Sequence, residues 1–96
     1  MPTFIAYCVD KPNSLELRMA NRPEHLAWIK AAGDMVRLAG PMLSSADGDI
    51  AGSLLVLEAP DLAAAEAFCA ADPYREAGVF ERVDVRAWRV GIGQVP

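Results

Sequence analysis

The segment SLLVLEA, residues 53–59, is apolar on both of its alternating sets, with Leu55 and Leu57 on one and Leu54 and Val56 on the other. Successive side chains of a strand point to opposite faces, so a strand of this composition needs cover on both sides and belongs in the middle of a sheet. One other segment shares the property. TFIAYCV (3–9) alternates Phe4, Ala6 and Cys8 with Ile5, Tyr7 and Val9, and is bounded by Pro2 and the turn signal DKPNS. Two further strands carry charge, as edge strands do. MVRLAG (35–40) is broken by Arg37 and closed by Gly40-Pro41. RVDVRAWRV (82–90) turns Val83, Val85 and Ala87 one way and Asp84, Arg86 and Trp88 the other.

Helical segments separate these strands. Ser14 is placed to cap LELRMAN. Pro23 interrupts that pattern and then sits in the first turn of PEHLAWIKAAG, where its missing donor costs little. Leu26 and Ile29, with Met19 or Pro23 behind them, form the apolar stripe, and Gly33 ends the helix. SSADGD is a surface turn on Asp47-Gly48. Asp61 caps LAAAEAFCAA, whose Leu62, Ala65, Phe68 and Cys69 make one buried stripe. The order β-α-β-β-α-β is α+β and ferredoxin-like, a four-stranded antiparallel sheet in spatial order 4-1-3-2. That order puts the two doubly apolar strands in the centre. Residues 1–96 read as a single domain with a loose tail at 91–96. Both helices cover one sheet face; the other keeps an apolar set, and a second copy packed sheet on sheet, a homodimer, is its simplest cover.

A formal charge of −4 and a pI near 4.8 exclude the dense basic face that nucleic acid requires. No apolar run approaches the ~20 residues of a membrane span. MPTFIAYCVD lacks the basic start of a signal peptide, so the expected location is the cytoplasm. Cys8 and Cys69 lack CxxC spacing and the chain has one histidine, so no zinc site is expected. Both cysteines read as small buried hydrophobes in a reducing compartment.

The candidate chemistry lies in CAADPYREAGVF (69–80), where an alanine-rich helix runs into Asp72 and a proline. A helix C-terminus carries partial negative charge and disfavours a carboxylate. In the expected topology the two helices are antiparallel, so the end of the second lies beside the start of the first, which carries His25. A carboxylate beside an imidazole favours the charged ring and fixes its tautomer, the minimum for general acid–base catalysis. Ser44, Ser45 and Ser53 lack an elbow motif, which favours proton transfer over acyl transfer. The structural alternative is an Asp-Pro helix stop with His25 on the solvated side.

Arg22 with HLAWI (25–29), AGP (39–41), GSLLVLEA (52–59) and above all DPYREAGVF (72–80) resemble, in order, the YCII-related (YciI-like) family of the dimeric α+β barrel superfamily. The resemblance runs from the first strand to Trp88. It implies a His–Asp dyad at His25 and Asp72, and a cofactor-free lyase or isomerase for a small aromatic or lactone-type compound. One similar enzyme class removes chloride from a chlorinated hydroxyquinol; related muconolactone isomerases shift protons on the same fold. Three residues near the implied cleft are candidates for substrate binding: Arg22 for an anion, Ser53 for a hydroxyl and Tyr74 as lining. Their plainer readings are a solvated arginine, a turn residue and loop packing. Gly40, Pro41 and Gly78 shape the backbone, and Trp28 and Trp88 serve core or interface. A non-catalytic ligand-binding or regulatory module is the alternative function. A haem protein would need His25 as axial ligand and would leave Asp72 without a role.

Overall fold

The computed structural model describes residues 1–96. Strands β1 (Thr3–Asp10), β2 (Val36–Leu43), β3 (Ile50–Glu58) and β4 (Phe80–Trp88) form one antiparallel sheet in the order β2-β3-β1-β4. This is the ferredoxin-like arrangement expected from the patterning. Phe4, Ala6 and Cys8 lie opposite Leu57, Leu55 and Ser53 on one side and Ala87, Val85 and Val83 on the other. All of these share the face beneath the helices. Leu55 and Leu57 are fully buried there, each contributing about 1.5–3 kcal/mol of transfer free energy. Val79, Phe80 and Tyr74 close the core from the connection into β4.

Helices α1 (Leu15–Ala20), α2 (Arg22–Ala32), α3 (Leu62–Ala70) and α4 (Pro73–Glu76) follow the expected breaks, with Pro23 in the first turn of α2 and a 3-10 turn at Gly33–Met35. Asp61 caps α3 by accepting from Ala64 N at 2.8 Å. Ser14 does not cap α1 through its side chain; its hydroxyl donates to Lys11 O at 2.7 Å instead. The unexpected element is α4. Asp72 lies beyond the end of α3 and is the N-cap of α4, accepting from Tyr74 N at 3.0 Å. The carboxylate that looked misplaced at a helix end thus begins the next helix, where it is favoured.

Other boundaries and faces move too. β2 does not stop at Gly40-Pro41 but continues to Leu43, because an edge strand tolerates a residue without a backbone donor. Gly40 has open space around it and sets no constraint, whereas Gly78 has φ +84. A Cβ on Gly52 would collide with Cys8 O and Met42 Cε, so the close approach of β3 to β1 needs that glycine. Leu26, expected in the buried stripe, is 44% exposed, while His25 is buried and Trp28 stacks on Phe68 at 4.2 Å between centroids. The inward face of α2 is aromatic and polar because α3 and α4 offer it a ring and a carboxylate. In α3 the buried residues are Ala65 and Cys69; Leu62, in the first turn, is exposed, so the stripe begins one turn later than expected.

The opposite sheet face carries Ile5, Tyr7, Val9, Leu54 and Val56, with Leu38 and Trp88 beside them. Tyr7, Leu54, Leu38 and Trp88 are exposed on it. Residues 91–96 have no regular secondary structure, and Pro96 O accepts from Arg37 Nε and Nη2 at 3.0 and 2.6 Å. No helix is long and apolar enough to cross a membrane.

Candidate functional site

The antiparallel helices bring the first turns of α2 against the start of α4. There His25 Nδ1 and Asp72 Oδ1 are 2.8 Å apart, although 47 residues separate them in the chain. Both residues are buried, at 7% and 2% exposure. The same Oδ1 accepts the Tyr74 amide, so a single oxygen holds both the helix cap and the imidazole. An ionised carboxylate only accepts, which assigns the proton to Nδ1 and leaves Nε2 free to exchange one. The Tyr74 ring stacks on the His25 ring at 3.9 Å and 15°, and Trp28 flanks the imidazole at 5.7 Å. These rings fix the imidazole plane.

Beside the pair lies a cavity of about 280 Å³. Its walls come from α1, α2, β2, β3 and Tyr74, and His25 is part of them. Arg22, Ser53 and Tyr74, the three expected substrate-binding residues, all line it; Asp72 does not, and stands behind His25. Arg22 is exposed; Ser53 and Tyr74 are buried. Burial pushes the Tyr74 phenol up from its ordinary value, while the charges of Arg18 and Arg22 pull the other way. Tyr74 is therefore a neutral hydrogen-bond donor at physiological pH. Leu26, Pro41 and Leu55 supply apolar surface.

The residue that sequence reasoning missed is Arg18, 4% exposed and in the cavity wall. Its Nη1 donates to both Asp10 oxygens at 2.9 and 3.1 Å, and its Nη2 donates to Ser53 Oγ at 2.6 Å. Its guanidinium carbon lies 4.5 Å from the centroid of the Tyr74 ring. Burial pushes the Asp10 carboxyl up, opposed by the adjacent charge and hydrogen bonds of Arg18. The available signal was Asp10 itself: a carboxylate ending a central strand, a short turn away from an arginine, is the partner that a buried guanidinium requires. No three His, Cys, Asp or Glu side chains group as a metal site. Cys8 and Cys69 are free and buried. Burial pushes their thiols up to about 12 and about 11, which makes them poor nucleophiles.

Such an arrangement has a ring nitrogen able to take or return a proton, cationic and hydroxyl donors around it, and apolar walls sized for one small ring. Known proteins are similar to this chain in sequence and in fold. The YCII-related domain model matches residues 3–89. Protein YciI of Escherichia coli is 40% identical over 93 residues, covering 90% of this chain and 95% of its own. An uncharacterized protein of Haemophilus influenzae is 34% identical over the same coverage of 90% and 95%. Among solved structures, 5-chloro-2-hydroxyhydroquinone dehydrochlorinase (TftG) from Burkholderia phenoliruptrix, in complex with 2,5-dihydroxybenzoquinone, superimposes with a TM-score of 0.86 at 32% identity, covering 93% of this chain and 95% of that one. An antibiotic biosynthesis monooxygenase shares the fold alone, with a TM-score of 0.56 at 16% identity and coverage of 94% and 98%. The match across residues 3–89 and the 40% identity to Protein YciI place the chain in the YCII-related family, to which it belongs.

Proposed function

We propose that this protein is a cofactor-free acid–base enzyme, a lyase or isomerase of the dehydrochlorinase kind, acting on a small aromatic or lactone-type compound. His25 is the proton-transferring group and Asp72 its orienting partner; Arg22, Ser53 and Tyr74 hold the compound. The observation that carries this reading is the buried 2.8 Å contact between His25 and Asp72 at the wall of an open cavity. The likeness to a dehydrochlorinase at 32% identity, itself in complex with a dihydroxyquinone, supports the substrate class.

Loss of hydrogen chloride from a chlorinated hydroxyquinol needs only what this site holds. His25 Nε2 takes a proton from a ring hydroxyl and returns it to the chlorine-bearing carbon, giving a keto tautomer with a tetrahedral carbon. Removal of a second hydroxyl proton drives an electron pair through the ring, and chloride leaves with the carbon–chlorine bonding pair. The products are a hydroxyquinone, chloride and a proton. The ring's two-electron oxidation is balanced by departure of chlorine as chloride, so the step requires no external oxidant. Proton shifts in an unsaturated lactone use the same nitrogen in the same way.

The same reading takes the protein as a homodimer joined through the open sheet face, which would cover Tyr7 and Leu54. Sedimentation equilibrium tests this, and a monomer across the micromolar range counts against it. For the reaction, chloride release and quinone absorbance are followed on a chlorinated hydroxyquinol, and double-bond migration on an unsaturated lactone. His25→Ala should abolish turnover while circular dichroism stays unchanged. Full activity in that variant would overturn the mechanism. Binding of both compound classes with no product from either would identify a ligand-binding module instead.

A further inference from the structure

The chain has 13 acidic and 9 basic residues, yet the cavity wall holds two arginines and no carboxylate. The two nearby acids act from behind, Asp72 on His25 and Asp10 on Arg18. A site that excludes every acid of an acidic protein is organised for an anion.

Arg18 is the fixed part of that field. A guanidinium has five N–H donors in a rigid fork. Protein acceptors engage Nη1 through Asp10 and Nη2 once, through Ser53. Nε–H and the remaining Nη2 hydrogen meet no protein acceptor, although the side chain is only 4% exposed and lines the cavity. Clamped by two partners and the Tyr74 ring, the fork stays in the cavity wall; no buried side-chain nitrogen lacks a partner, so the unpaired Nε is reached by solvent there. Arg22, in contrast, is exposed at the first position of α2. At about 280 Å³ the cavity is at the small end of ligand pockets, with room for one substituted ring.

We propose that Arg18, held by Asp10 and Ser53, is the anion anchor of this cavity, and that the compound it selects is a single planar ring bearing ionised oxygen, a phenolate or hydroxyquinone, in preference to a neutral lactone. The inference deepens the acid–base reading and rests on it only in placing this ring against His25. When His25 removes a hydroxyl proton, the negative charge left on oxygen is what a preorganised guanidinium stabilises more than it stabilises the neutral hydroxyl. Arg18 therefore acts on kcat as well as on binding.

The test is calorimetric binding of two probes. One is 2,5-dihydroxybenzoquinone, whose hydroxyls are vinylogous acids ionised at neutral pH. The other is hydroquinone, a neutral six-membered ring with two fewer oxygens. The wild-type protein should prefer the anion. The double variant Arg18→Met/Asp10→Asn removes both members of the buried pair, so no charge is left unpaired. It should bind the anion about 10-fold to 100-fold more weakly and hydroquinone within about 3-fold of wild type. Ser53→Ala keeps the ion pair and loosens the clamp; because Ser53 also lines the site it should weaken both probes, but the anion more, by about 3-fold to 10-fold. His25→Ala should retain the anion preference, so loss of turnover there with binding intact separates the acid–base reading from the anchor. Equal affinity of the wild type for both probes, or unchanged anion binding in folded double variant and Ser53→Ala alike, overturns the anchor. A wild type that shows the preference but turns over nothing upholds the anchor and overturns the enzyme.

Discussion

Asp72→Asn isolates the charge of the dyad from its geometry. In the folded protein Asp72 Oδ1 accepts from both His25 Nδ1 and the Tyr74 amide, at 2.8 and 3.0 Å. An asparagine can keep both bonds only with its oxygen at that position. The flipped amide would set its NH2 group against the backbone N–H of Tyr74, donor against donor. The cap therefore pins the amide, and the pinned oxygen keeps the proton on Nδ1 of His25. What disappears is the negative charge. A hydrogen bond to a charged acceptor contributes ~1.5–3 kcal/mol against ~0.5–1.5 kcal/mol for a neutral one. The difference, about 1–2 kcal/mol, applies in every state where His25 carries the transferred proton. At about 1.4 kcal/mol per tenfold, kcat should fall about 5-fold to 30-fold.

The assay is chloride release from a chlorinated hydroxyquinol under saturating conditions, paired with urea unfolding. Stability of Asp72→Asn should stay within about 1 kcal/mol of wild type, because both hydrogen bonds survive and relief of the buried carboxylate's desolvation offsets their loss of charge. Asp72→Ala differs: it removes the cap of α4 and leaves a buried imidazole N–H without an acceptor, a combined loss of about 2–4 kcal/mol. A kcat for Asp72→Asn within twofold of wild type would show that the charge is irrelevant to turnover. A loss near the ~10⁴-fold typical of a wrong tautomer, with the fold intact, would show that the cap does not pin the amide.

Gly52→Ala should destabilise the domain by about 2–3 kcal/mol in urea unfolding, since the added methyl would run into Cys8 O and Met42 Cε where β3 meets β1; a change under about 0.5 kcal/mol would contradict that close approach. Native Cys8 and Cys69, with thiols pushed by burial to about 12 and about 11, should react with Ellman's reagent at pH 8 only as fast as the protein unfolds. Because the fold binds these protons more tightly than the unfolded chain does, the associated stability is complete below about pH 9 and drains away as pH rises through about 11 to about 12. Rapid labelling of either thiol at pH 8 would refute their burial.

Strand order was legible because it follows from a short-range property: doubly apolar β1 and β3 can be satisfied only in the middle of the sheet, and β2 and β4 then take the edges. The meeting of His25 with Asp72 was legible only through that topology, since nothing in either local sequence requires it. Other features depend on partners that periodicity does not encode. PYRE (73–76) is too short to announce a helix, so from sequence its cap looks like the end of the preceding one. Apolar spacing points Leu26 inward, but a histidine whose hydrogen bond is satisfied 47 residues away is buried as readily as a leucine. Arg18 was overlooked for the same reason: Leu15, Leu17 and Met19 around it are exposed, and it alone in α1 turns inward, to Asp10 and Ser53.

These departures are not scattered. Five polar residues are buried, and four of them, Arg18, His25, Ser53 and Asp72, form or support one wall of the cavity. Leu26, left exposed when His25 took the inward position, lines the same space. Burying a polar side chain costs free energy unless every partner is in place, and leaving a leucine in a cleft forgoes part of the hydrophobic gain. A protein this small has little stability to forgo, so four such burials beside one open cleft fit the proposed ring-binding site better than they fit accident.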